Sequence, residues 1–213
     1  MPTSFLFRFT LPVQRLAKLP KGGRLLNLSD DYALPLPNLD GDRPRTELRA
    51  AWNAEGLGFS VSVQGKRKPL AVPTPVTNIS DGLHLWIDTR NTQGIHRASR
   101  FCHRFFASPI GGGRNRNEPT VTALAIERAR EEPPKIDPKH LHVWGESTRM
   151  GWQLEVWIKS AALHGYEPEA NPRLGFFYML RDAEIGNEYL SGGPEFPFAL
   201  DPSLWWTLEL KTG

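Results

Sequence analysis

Four groups of side chains in this sequence have the chemistry for reaction or binding: Cys102-His103, His140-x-His142, the carboxylates Asp88 and Glu155, and the arginines between Arg90 and Arg116. A thiol beside an imidazole suggests a nucleophile. Neighbouring residues on a strand point to opposite faces, however, so Cys102 and His103 cannot form a dyad with each other, and a buried, inert cysteine is expected. His140 and His142 are two residues apart and would share one face of a strand, as two metal ligands must. His84 and His96 are further candidates, but nothing in the sequence brings them together. Asp88 and Glu155 would fall on one face by alternation, as the two carboxylates of a glycosidase would, though alternation says nothing of their separation. The chain has no G-x-S-x-G, no P-loop and no G-x-G-x-x-G. A binding protein with no catalytic residues and no metal centre is therefore expected, rather than an enzyme.

Between Arg90 and Arg116 the chain holds six arginines, two histidines and no Asp or Glu, interleaved with Phe101, Phe105 and Phe106. Arg97, Arg100 and Arg104 form a candidate patch for an anionic polymer or a protein partner. The competing expectation is that they pair with acidic residues on neighbouring strands. A net charge of only +3 favours pairing and makes nucleic acid an unexpected partner.

The elements that must position these groups are strands. Period-two alternation marks short runs at 4–10, 46–53, 57–63, 83–88, 101–107, 121–128, 140–145, 152–158, 174–181 and 205–210. Helical periodicity is nearly absent, apart from one short turn at 159–164 closed by Gly165. Asn53-Ala54-Glu55-Gly56 reads as a tight hairpin with Gly56 available for positive φ. The glycine-rich stretch 108–119 reads as a mobile loop, and 130–138 as a charged, proline-rich surface loop. Nineteen Gly and nineteen Pro in 213 residues suit many strands joined by turns. The expected fold is a single all-β domain over 1–213, a two-sheet antiparallel sandwich with little helix.

Alternation also assigns faces. The wholly apolar sets Leu48/Ala50/Trp52, Leu83/Leu85/Ile87, Trp152/Leu154/Val156/Ile158 and Leu174/Phe176/Tyr178/Leu180 should line the core. The opposite sets collect Trp86, Trp157 and Phe177 beside His84, Asp88, Gln153, Glu155 and Arg181. Flat rings among amide, carboxylate and guanidinium groups suit a sugar, whose C–H face stacks on indole while its hydroxyls are hydrogen-bonded. These eight residues are the candidate ligand-binding set. The plainer reading is that the segment 11–40 covers the rings.

One cysteine excludes an internal disulfide and any multi-cysteine zinc site. No apolar stretch approaches bilayer-spanning length, so no membrane partner is expected. Arg8, Pro12 and Arg15 interrupt the opening residues, which fail as a secretory signal. As written, the sequence reads as cytoplasmic; a chain whose leader had been removed would read as secreted.

Four features in order carry a family resemblance: Leu39-Asp40-Gly41, the hairpin around AWNAEGLGFSV, the strand DGLHLWIDTR, and GWQLEVWIKSAAL followed by LGFFYMLRDAE. From about residue 36 onward the chain resembles family 9 carbohydrate-binding modules and the wider DOMON-like sandwiches. The resemblance implies a non-catalytic two-sheet sandwich that binds a saccharide or glycan between aromatic rings. It implies no cofactor, apart from the structural calcium that some members hold. By resemblance, Trp86, Trp157, Glu155 and Arg181 lie on the strands lining the family's concave face. The arginine-rich insertion 91–117 departs from the family pattern.

Overall fold

The computed structural model describes residues 7–37, 46–70 and 80–212. The Leu39-Asp40-Gly41 motif and residues 4–6 of the expected strand 4–10 lie outside them. Among the described residues, eleven strands follow one another: β1 (Thr10–Arg15), β2 (Glu47–Asn53), β3 (Gly56–Gln64), β4 (Gly82–Asp88), β5 (Cys102–Gly112), β6 (Glu118–Leu124), β7 (Leu141–Thr148), β8 (Gly151–Lys159), β9 (Arg173–Asp182), β10 (Gly186–Tyr189) and β11 (Trp206–Leu210). Among the described residues, helix is confined to short 3-10 turns, one of them at Ser160–Ala162 ahead of Gly165, as the sequence suggests. Among the described residues, no helix is long and apolar enough to cross a membrane.

The strands form the two layers of a β-sandwich. Sheet A runs β6-β5-β4-β9-β11-β1, with β10 also on β9; sheet B runs β1-β2-β3-β8-β7. The interior is built from the apolar sets named above. Leu85, Ile87, Phe176 and Leu174 of sheet A meet Phe59, Leu154, Val156 and Ile158 of sheet B, all fully buried. Phe59 and Phe176 stack across the sandwich with centroids 5.4 Å apart. Each such side chain contributes about 1.5–3 kcal/mol through removal from water.

The pairing is antiparallel except at β1, which is parallel to β11 on one side and to β2 on the other. This strand joins the two sheets, and Pro12 hides it from a sequence reading. The odd-numbered residues bond β11: Phe9 and Val13 accept through their carbonyls from Thr207 and Lys211 N–H. The even-numbered side faces β2, whose ladder begins only at Gln14. Pro12, on that side, therefore lacks an N–H where none is required.

Three other expectations are corrected. The 108–119 stretch is mostly strand: β5 continues through it to Gly112 with a register shift after Ser108, and β6 starts at Glu118. β10 is an additional short strand. Gly56 does not adopt positive φ; the turn is held by Glu55 N–H donating to the Asn53 side chain at 2.8 Å. Gly56 is needed because a Cβ there would collide with the carbonyl oxygen of Ile158 on β8.

Candidate functional site

The eight side chains expected to share one ligand face are divided between the two sheets. His84, Trp86 and Asp88 on β4 lie with Phe177 and Arg181 on the outer surface of sheet A. Gln153, Glu155 and Trp157 on β8 lie on the outer surface of sheet B. Asp88 and Glu155 therefore stand on opposite sides of the sandwich, not across a common cleft.

On sheet B, Trp157 is 1% exposed, under a small second core of Leu26, Leu28 and Ala51. Glu155 fixes that cover: its carboxylate accepts from the backbone N–H groups of Leu26 (2.7 Å) and Asn27 (3.1 Å). Asn27 has φ 49, which turns the chain so that successive N–H groups face one carboxylate. Here the plainer expectation, that the 11–40 segment lies over the ring, describes the structure.

On sheet A, Trp86 is equally buried. Phe198 meets it edge-on at 5.5 Å and stacks on Phe177 at 4.4 Å. That covering loop is pinned where Trp205 Nε1–H donates to the Phe198 carbonyl at 2.8 Å. Asp88 accepts from Arg90 N–H (2.9 Å) and Thr92 N–H (2.7 Å) and so shapes the turn after β4. Burial raises its carboxyl above the ordinary range despite those bonds. Among the three arginines of the alternative patch, Arg97 donates to the Arg128 carbonyl at 2.9 Å, and Arg100 lies 4.0 Å from Glu131. Arg104 makes no salt bridge among the described residues, feels the Glu127 charge from a distance, and lies over the Trp86 ring at 5.1 Å.

Cys102 and His103 point to opposite faces, pairing with Asp88 and Ile87 respectively. Burial, helped by the Asp88 charge, pushes the Cys102 thiol up to about 12. His140 and His142 are half-buried, and among the described residues no three metal-ligating side chains converge. The buried carboxylates Asp81 and Asp182 are bridged by the ammonium of Lys66. These side chains do not fit the calcium that the family resemblance implies for some members.

The buried imidazoles carry a pH prediction. Burial holds His103 down at about 4; burial, then Arg104 and Arg181, hold His84 at about 3. Both lie below the unfolded value of about 6.5, so on acidification the unfolded chain binds protons that the folded chain refuses. Stability should be full above about pH 6.5 and fall toward pH 4 by roughly 1 kcal/mol per pH unit for each histidine. Urea unfolding measured across that range tests this, and His103→Gln should reduce the slope. A flat profile would refute it.

One part of the outer surface is open and chemically mixed. Beyond the cover over Trp157, sheet B presents Ser62 of β3, Gln153 of β8 and Glu146 of β7 side by side. Half-buried Trp144 stands on the same face, opposite Glu155, with the Arg24 guanidinium 4.6 Å from its ring centroid. A hollow of about 330 Å³ opens here, lined by Ser62, Gln64, Glu146, Thr148, Met150 and Gln153. That size is at the small end of ligand pockets. Gln153 belongs to the expected set, whereas Trp144 was missed. Its signal was the alternation within 140–145, which places Trp144 with His142 opposite Leu141 and Val143.

No protein-family model matches the chain, and no curated protein matches its sequence. Solved structures do match it in fold. A family 9 carbohydrate-binding module from Caldicellulosiruptor kristjanssonii, solved with cellotriose, superposes with a TM-score of 0.62 at 12% identity, covering 96% of this chain and 95% of that one. A family 9 module from the same organism, solved with glucose, gives a TM-score of 0.62 at 12% identity, covering 96% of this chain and 97% of that one. A candidate carbohydrate-binding protein from Bacteroides uniformis gives 0.54 at 13%, covering 96% and 100%. In fold, the chain is similar to a family 9 carbohydrate-binding module.

Proposed function

We propose that the chain is a non-catalytic, single-domain saccharide-binding module whose ligand lies on the open end of sheet B, against Trp144 and Gln153. The observation that carries this reading is a hollow of hydroxyl, amide and carboxylate groups on the face that also carries Trp144, two residues before Glu146 on β7, while Trp86 and Trp157 are covered. A sugar there keeps its hydroxyls bonded to Ser62, Gln153 and Glu146 and sets its apolar face against the part of the Trp144 ring that the Arg24 guanidinium leaves open. The similar modules solved with cellotriose and glucose support the ligand class.

A glycan array, run with calcium and again with chelator, gives the ligand. Trp144→Ala should then weaken the best binder by about tenfold or more, since ring stacking contributes about 0.5–1.5 kcal/mol beyond the area it buries. The melting temperature should change little, because the ring is only partly buried. Unchanged affinity in a folded Trp144→Ala variant would sink the assignment.

A further inference from the structure

The outer face of sheet A holds two arginines that make no salt bridge among the described residues, although the Glu127 carboxylate acts on Arg104 from a distance. Arg104 on β5 pairs in register with Trp86, and Arg181 on β9 pairs with Gly82, so the two flank His84 diagonally across β4. Both are half-buried, and among the described residues neither makes an ion pair or a hydrogen bond. The acidic side chains near Arg181 are committed elsewhere. Asp182 bonds Lys66, Glu184 accepts from Arg67 and Lys68 N–H, and Glu188 accepts from Tyr178 and Thr46 hydroxyls. Beside Arg104, three buried nitrogens also lack partners: Trp86 Nε1, His84 Nδ1 and Arg104 Nε.

Aromatic side chains flank the line between the arginines, Phe106 on one side and Tyr189 on the other. Half-buried Phe106 lies 4.5 Å from the His84 ring, and half-buried Tyr189 pairs in register with Met179 on the next strand. Four residues along a strand and two strand spacings put the arginine backbones about 17 Å apart. A single small anion cannot bridge that span, but a short oligosaccharide with charged substituents can.

We propose that this strip is a binding site for an acidic oligosaccharide, its carboxylates paired with Arg104 and Arg181 and its rings lying over Phe106 and Tyr189. The assignment rests on the saccharide reading above but uses a separate surface. Guanidinium groups match carboxylates through paired N–H donors, and partial burial strengthens the pairing. Lowering of the His84 pKa by both arginines, after burial, shows that their fields meet at this point. Two arginines beside aromatic rings are too few to grip a nucleic-acid backbone, where affinity grows with the number of phosphates neutralised.

The test is calorimetric titration of the full chain with trigalacturonate, its fully methyl-esterified form, cellotriose, and a short single-stranded DNA. Trigalacturonate is expected to bind and the ester to bind at least about tenfold more weakly, as loss of a charged hydrogen bond implies. Arg104→Gln and Arg181→Gln should each weaken trigalacturonate by about tenfold or more and leave any cellotriose binding unchanged. Trp144→Ala should do the reverse. Affinity for trigalacturonate should also fall as salt rises from about 0.01 M to about 1 M, which shortens the screening length from about 30 Å to about 3 Å. Binding of cellotriose without trigalacturonate would overturn this inference and leave the saccharide reading intact. No saccharide binding of any kind would overturn both. Tighter binding of DNA than of trigalacturonate, lost in the arginine variants, would reassign the strip to nucleic acid.

Discussion

Lys66→Met is expected to lower the stability of the fold by about 3–5 kcal/mol, enough to leave much of the protein unfolded at moderate temperature. The Lys66 ammonium is 2.6 Å from Asp182 Oδ1 and 3.2 Å from Asp81 Oδ2, and all three side chains are almost wholly buried. Asp182 also accepts from Trp152 Nε1–H and from the N–H groups of Glu184 and Ile185, while Asp81 accepts from Ala183 N–H. Burial alone would raise the Asp182 carboxyl, but Lys66 and those N–H donors outweigh it and hold the group below the usual range. Removing the cation leaves buried negative charge without compensation, which costs more than the intact cluster contributes. Adding Asp182→Asn to Lys66→Met should therefore recover part of the loss. Urea denaturation of the single and double variants decides it; a loss under about 1 kcal/mol for Lys66→Met would contradict the argument.

Trp157→Ala should cost about 3–5 kcal/mol, the range for emptying a large aromatic from a packed site. Its effect should spread outward, because the ring is the floor on which Leu26 and Leu28 sit. Backbone amides of residues 16–28 should exchange faster with solvent, and the segment should become the first site of proteolysis. Saccharide affinity, measured in the fraction that remains folded, should change far less than in Trp144→Ala. If Trp157→Ala leaves stability intact and removes binding, the cover seen over this ring is not maintained in solution and the original expectation for it is restored.

Most of the architecture was legible because alternation is a local property. Leu83/Leu85/Ile87 and Trp152/Leu154/Val156/Ile158 read as inward-facing from the sequence and are fully buried in the core. What alternation cannot do is say which sheet a strand joins. Trp86 and Trp157 have the same outward phase, yet β4 and β8 lie in different layers, so two half-faces were read as one surface. The fate of each outer face was set by segments without periodicity: 16–28 over Trp157 and the loop bearing Phe198 over Trp86. Trp144 stands where that cover ends, which no local pattern could reveal. β1 was missed for a different reason, since a proline is tolerated only where one side of a strand has no neighbour, and that depends on the assembled sheet.

The placement of β1 between β11 and β2 bears on how the chain can fold. Thr10 pairs with Thr207, so the ladder closes a loop of almost the full described length. Hairpins such as β2–β3 and β7–β8 join neighbours in sequence and close cheaply and early. The seam between the layers must wait for β11, which itself needs β9 in place. On this topology the strand that comes first in sequence is among the last to find its partners, and until it does the two layers share no backbone hydrogen bonds through it. Joining of the layers through β1 is therefore expected late, and damage to β11 should be felt in sheet B although no residue of β11 belongs to it.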